Sequence, residues 1–164
     1  MPDPEKVYLC GLLHDVGGLV NATLMPEEFC NTVEFAVSKS ISLFEAELET
    51  MGFTHCDTGK LLGEYWNLSP DIQTTIEFHH IPGQAPAPAA LPALVHLSDL
   101  LSRLRGMGYG YDELLEVDLH SDPAWGLLEQ SVPHLDRFDV VRFTLELDAD
   151  AEEIRRLVAA AFQG

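Results

Sequence analysis

His14 and Asp15 stand side by side at the end of an apolar stretch, Leu12-Leu13-His14-Asp15. Further imidazoles follow at His55, at the pair His79-His80, and at His96, three residues before Asp99. Neutral imidazole nitrogen and carboxylate oxygen together suit borderline divalent ions such as Fe, Mn, Zn or Ni, and such an ion can share its remaining positions with water or phosphate oxygen. Five of the seven histidines fall in this series, at intervals that suit a helical metal cage, so the chemistry to expect is that of a divalent cation. His96 is expected behind the ligands, as a packing or orienting residue. Each residue also has a plain structural reading: His14-Asp15 as a hydrogen-bonded pair at a helix end, His55 as a solvated first-turn side chain, Asp99 as an i,i+4 partner of Arg103. Of His79 and His80, one is expected to face the site and the other to brace a backbone carbonyl. His120 and His134 are expected at the surface.

Helices must position these groups. Asp3-Pro4 supplies an N-cap and a first-turn proline, and Val7, Cys10 or Gly11, and His14 then share a face, with Gly17-Gly18 expected to stop the helix just past Asp15. Phe29, Val33, Val37, Ile41, Phe44 and Leu48 predict one amphipathic helix from Pro26 to about Met51. Thr54 can cap a helix that opens with His55 and runs through Leu61, Leu62 and Trp66, with Gly59 and Gly63 admitting a close backbone neighbour. Ser69-Pro70 starts a helix carrying Ile72, Ile76 and the histidine pair. Residues 83–90, rich in alanine and proline, read as an exposed, extended loop that could act as a lid. Leu91-Pro92 restarts helix through Asp99. After the glycine-rich break at 106–110, short helices are expected at Tyr111–Val117 and Asp122–Gln130, then a helical pair from Pro133 to Phe162. Phe143–Leu147 alternates like a strand, but its surroundings favour helix. Trp66 and Trp125 are expected to pack inside, and Tyr109 and Tyr111 to anchor a loop.

The 164 residues suit one domain, and 46% hydrophobic with 22% charged residues is ordinary globular composition. The formal charge of −18 is spread in clusters such as Glu45-Glu47-Glu49, read as solvated helix faces. That balance repels nucleic acid and anionic membrane, and it leaves an anionic ligand dependent on a bound cation. Cys10, Cys30 and Cys56 fit no disulfide or zinc-finger spacing and read as small buried hydrophobes in a reducing cytoplasm. No leader and no apolar run of membrane-spanning length is evident, so the expectation is a cytoplasmic protein without nucleic-acid or membrane partners. No phosphate-cradling loop points to an organic cofactor.

Four segments in order, Gly11-Leu12-Leu13-His14-Asp15-Val16-Gly17, Gly52-Phe53-Thr54-His55, Glu77-Phe78-His79-His80 and Val95-His96-Leu97-Ser98-Asp99, closely resemble the HDOD family. This is the signalling-associated branch of the HD superfamily of metal-dependent phosphohydrolases, whose HD-GYP relatives hydrolyse cyclic di-GMP. The resemblance implies an all-α, single HD-like helical bundle over residues 1–164, with a motif-bearing core at 1–105, C-terminal packing helices at 106–164, and the usual N-terminal helices lacking. It also implies that His14 and Asp15 are central metal ligands, that Asp15 can bridge two ions, that His55 with His79 or His80 serves a second ion, and that Asp99 completes the first. Against the catalytic relatives, the chain has no histidine before His14, reads Val16-Gly17-Gly18 where a lysine is usual, and reads Ile81-Pro82-Gly83 after the histidine pair, without the Gly-Tyr-Pro signature.

Two functions follow as expectations. The preferred one is a signal-transduction or regulatory module that keeps a degenerate HD-type metal site and acts through protein partners. The alternative is a metal-dependent phosphohydrolase or phosphodiesterase acting on a nucleotide or cyclic nucleotide, in which Asp15 would be the catalytic ligand. A homodimer is expected if a second copy covers the face left open at the first helix.

Overall fold

The first helix ends sooner than the glycines suggest, and that shift sets the site. In the computed structural model, which describes residues 3–111 and 117–162, α1 (Pro4–Leu13) gives way at His14-Asp15 to α2 (Val16–Leu24). Asp3 caps α1 by accepting from the Glu5 N–H at 3.1 Å. Gly17 and Gly18, expected to stop the helix, lie buried within α2 instead. The reason is packing. A Cβ on Gly17 would sit 1.9 Å from the His55 carbonyl oxygen and 2.5 Å from the Gly59 nitrogen, so α2 crosses α5 (His55–Tyr65) in backbone contact.

The single helix expected over 26–51 is two, α3 (Pro26–Lys39) and α4 (Leu43–Thr50). Ser40 takes a left-handed conformation (φ 54°) and its N–H returns to Ala36 and Val37, while Ser42 and Glu45 form a reciprocal cap that restarts the helix. The apolar period runs through the break, which is why it masks the Ser-x-x-Glu signal. Thr54 begins α5 as expected, and Asp57 completes a second such cap, its carboxylate accepting from the Thr54 N–H at 2.8 Å.

α6 (Pro70–Phe78) delivers the histidine pair at its C-terminal end, and a 3-10 turn at Pro82–Gln84 opens the segment read as a free loop. The turn packs on α6, α7 (Ala90–Arg103) and α8 (Pro123–Glu129). The helical pair expected over 133–162 is a 3-10 turn at Leu135–Arg137 and one long helix, α9 (Val140–Phe162), which takes in the strand-like Phe143–Leu147. The helix expected at Tyr111–Val117 falls largely outside the described residues. All regular structure among the described residues is helical.

Two apolar clusters form the core. Cys10, Ile72, Ile76 and Val95 join α1, α6 and α7, and Ala90, Ala93, Leu97 and Leu100 of α7 pack on Ala124, Trp125 and Leu128 of α8. Each fully buried Leu, Ile or Val side chain among them contributes about 1.5–3 kcal/mol relative to an exposed one. Helix α7 therefore braces both halves. Three expectations fail at the surface: Trp66 is half exposed because it ends α5, Cys30 points outward from α3, and Glu47 turns inward. Taken together, α1 and α2 reach the length and apolarity of a membrane-crossing segment (21 residues, mean hydropathy 1.2), which the composition did not single out. The turn at His14-Asp15 divides them, and Tyr8, Leu12 and Leu19 stay exposed.

Candidate metal centre

Two helix ends and two helix starts meet at Asp15. His14 and Asp15 form the α1–α2 turn, His55 opens α5, and His79-His80 close α6, so five side chains reach one point with little intervening backbone. Asp15 Oδ1 lies 3.3 Å from His55 Nε2 and 3.4 Å from His79 Nε2, and Asp15 Oδ2 lies 3.4 Å from His14 Nε2. His55 Nε2 is also 3.4 Å from His79 Nε2 and 3.0 Å from His80 Nε2. Each of the four imidazoles thus turns the same ring nitrogen toward Asp15 or toward another imidazole of the cluster.

The opposite nitrogens show why. Nδ1 of His14 meets the Gly11 carbonyl at 2.7 Å, Nδ1 of His55 meets Glu47 Oε2 at 2.6 Å, and Nδ1 of His79 meets the Ile76 carbonyl at 3.0 Å. Acceptors behind the rings favour the Nδ1–H tautomer of each neutral imidazole, the form in which the Nε2 lone pairs face inward. Asp15 Oδ1 is likewise buried without a hydrogen-bond donor. Lone pairs gathered in this way repel unless a proton or a cation lies among them. The donor set of nitrogens and one carboxylate fits a divalent metal. Two groupings, His14-Asp15-His79 and His55-Cys56-His79-His80, each bring one potential ligand atom per residue within 4.8 Å of the others.

Glu47 and Cys56 join the site without having been expected there, and Tyr109, expected chiefly as a loop anchor at its rim, reaches into it. Glu47 is fully buried and also accepts from the His55 N–H at 2.8 Å. Its helical face, shared with buried Leu43 and Ala46, is a signal the sequence did carry. Cys56 Sγ lies 3.8 Å from His79 Nδ1. Tyr109 reaches back from the glycine-rich segment to donate to Asp15 Oδ2 at 2.5 Å, and Tyr111 donates to the Ile41 carbonyl at 3.1 Å.

Asp99 stands apart from both groupings. Its carboxylate meets Arg103 Nε at 3.0 Å in the i,i+4 arrangement, and both side chains are mostly buried. It does line a cavity of about 350 Å³ with His14, Asp15, Ser98 and Tyr109. His96 braces the site from behind: its Nδ1 meets the His79 carbonyl at 2.7 Å and its Nε2 is 3.4 Å from Asp122. His79 and His80 both face the centre, and His79 at the same time meets the Ile76 carbonyl through Nδ1, so a single residue of the pair combines the two roles expected of them separately. His120, against Trp125, and His134 are exposed.

A family model for the HDOD domain matches residues 1–82, half of the chain. The chain belongs to the HDOD family. A crystal structure of an HDOD domain protein of unknown function from Geobacter sulfurreducens superposes over 96% of this chain and 54% of its own, with a TM-score of 0.83 and 32% identity. An uncharacterised protein of Treponema pallidum (strain Nichols) is 32% identical over 79 residues, 48% of this chain and 15% of that one. The chain thus spans about half of the solved relative and a small part of the other. The all-α HDOD fold is shared, and His14, Asp15, His55, His79 and His80 all lie in the matched segment, whereas Asp99 lies beyond it.

Several groups at the centre have strongly shifted titrations. Burial opposes the charge on Asp15, but contacts with His55, His79 and His14 outweigh it and hold the carboxyl well below the usual range. Burial likewise opposes protonation of His79, yet Asp15 and Cys56 raise its pKa to about 9. Burial and the charge on His79 and His55 push His80 well below its ordinary value. Burial and the Asp15 carboxylate keep Tyr109 protonated, consistent with its donor role. The sign of the His79 effect is definite: a folded pKa near 9 against about 6.5 unfolded stabilises the fold fully below pH 6.5, and that contribution is lost as pH rises through about 9. Chelator-treated protein is therefore expected to melt at progressively lower temperature between neutral pH and about pH 9, and His79→Asn should flatten that slope. A wild-type slope matching the variant's would refute the assignment.

Proposed function

We propose that this HDOD chain is a regulatory module that holds a divalent cation and acts through protein contacts rather than by turnover. One observation carries the reading: four Nε2 atoms and the Asp15 carboxylate face one point, with the Nδ1 atoms of His14, His55 and His79 tied behind them. On this reading His14, Asp15, His55, His79 and His80 make up the cation-holding centre as two groupings that share His79, Glu47 orients His55, and Tyr109 orients Asp15. Asp99 is held by Arg103 instead. Bound there, a borderline metal such as Fe, Mn, Zn or Ni supplies positive charge that satisfies the gathered lone pairs. Exposed Tyr8, Leu12 and Leu19 on α1 and α2 offer apolar surface for a protein partner or a second copy.

Two features favour regulation. The cavity beside the centre has no Lys or Arg among its described lining residues, and the nearby Arg103 is engaged by Asp99, so a phosphate there would depend on a bound cation for positive charge. Tyr109 also occupies one oxygen of the carboxylate that bridges ions in catalytic relatives. The second reading, a phosphohydrolase of nucleotides or cyclic nucleotides, draws on the same cavity because it reaches both His14 and Asp15. Elemental analysis of protein purified without chelator, combined with a bis(4-nitrophenyl) phosphate assay under added Mn or Fe, separates them. The expected result is about one ion or more per chain and no turnover. Turnover abolished by Asp15→Ala would establish the second reading instead, and a folded chain that takes up no ion even on reconstitution would remove both.

A further inference from the structure

Cys56 sits beside the imidazole centre but has no part in the ligand set above. It occupies the first turn of α5, directly after His55, where the helix N-terminus favours a thiolate. Its side chain is buried, and Sγ lies 3.8 Å from His79 Nδ1. One potential ligand atom from each of His55, Cys56, His79 and His80 falls within 4.8 Å of the others. The second indication of a ligand is independent of the sulfur: His55 and His79 are essentially inaccessible to solvent, and their Nε2 atoms point at each other at 3.4 Å with their protons committed to Glu47 and to the Ile76 carbonyl.

We infer that Cys56 supplies a thiolate ligand to the cation, joining His55, His79 and His80 in a three-nitrogen, one-sulfur set that selects Zn or Co(II) over Mn and Mg. The inference rests on the proposed metal centre and adds the identity of the ion it prefers. Two adjacent pairs, His55-Cys56 at the start of α5 and His79-His80 at the end of α6, then clamp the ion from two helices that already pack against each other. Thiolate softness favours Zn and Co(II) over the hard oxygen-seeking ions, and four donors of this kind suit tetrahedral geometry. His14 and Asp15 belong to the other grouping, which shares His79 and carries the harder oxygen donor, and they lie outside these four donors. Cys10 and Cys30 are poor substitutes, since Cys10 packs in the α1–α6–α7 core and Cys30 is at the surface.

The experiment loads the full chain, with Cys30→Ser to remove the exposed thiol, with Co(II) and with Zn in parallel. Co(II) bound through sulfur gives a near-ultraviolet thiolate-to-metal absorption in addition to visible ligand-field bands. Cys56→Ser should lose the near-ultraviolet band, retain visible bands, and weaken Zn in chelator competition by about tenfold or more. Zn absorption spectroscopy of the Cys30→Ser protein needs no change at Cys56, and it should show a sulfur neighbour at about 2.3 Å. Co(II) bound with visible bands but no charge-transfer band, a Zn shell of nitrogen and oxygen alone, or a band that survives Cys56→Ser would overturn the inference and leave the metal centre standing. A chain that binds neither ion would end both.

Discussion

Gly17→Ala is expected to destabilise the protein by about 3–5 kcal/mol and to abolish cation uptake. The added methyl would lie 1.9 Å from the His55 carbonyl oxygen and 2.5 Å from the Gly59 nitrogen, and both are backbone atoms that no rotamer can move aside. Relief requires α2 to withdraw from α5. Because Asp15 is tied to the start of α2 and His55 to the start of α5, that withdrawal separates the carboxylate from the imidazole it faces. Gly18→Ala is the matched control: its methyl would meet nothing closer than the His55 Cβ at 3.9 Å, and the higher helix propensity of alanine should make it neutral or stabilising by up to about 1 kcal/mol. Urea denaturation of the two variants reads the contrast directly. Equal midpoints would show that the α2–α5 crossing is not as tight as described.

Glu47→Ala should cost about 3–5 kcal/mol and lower cation affinity by roughly 10–100-fold, although Glu47 is not among the proposed ligands. Its carboxylate, fully buried, accepts from both the His55 backbone N–H and His55 Nδ1, with Asn21 Nδ2 at 3.4 Å from its other oxygen. Removing it strands two buried donors and frees the imidazole to turn or to change tautomer, so Nε2 no longer presents a fixed lone pair. Glu47→Gln keeps an acceptor of similar shape without the charge, and is expected to recover stability more than affinity. Chemical denaturation and chelator competition measure the two effects separately. An alanine variant that binds the cation as tightly as wild type would exclude this orienting role.

The parts legible in the sequence are those governed by local rules. Asp3-Pro4, Thr54 and Ser69-Pro70 each mark a helix start that the structure has, because caps act over three or four residues. The side chains of His14-Asp15, His55 and His79-His80 also lie together in the fold. What was not legible depends on contacts between distant segments. Gly17 and Gly18 look like terminators until α5 is seen lying against them, and Ser42 is hidden by an apolar period that continues across its helix start. Glu47 has the composition of a solvated face, yet its neighbours Leu43 and Ala46 turn that face inward. Asp99 lay within an ordinary i,i+4 spacing to Arg103, and the pair forms. Tyr109 had only its flanking glycines to suggest a role, since its partner is 94 residues away.

The bond from Tyr109 to Asp15 carries one more implication. It connects the stretch leading into α8 and α9 with the carboxylate at the α1–α2 turn, and thermodynamic reciprocity then applies: whatever changes the hold on Asp15 must change the hold on that stretch by the same factor. A cation that draws on both oxygens of Asp15 loosens the phenol, while one that leaves Oδ2 to it secures the phenol. Anything that grips the C-terminal helices from outside would, in return, tune how readily the ion is kept.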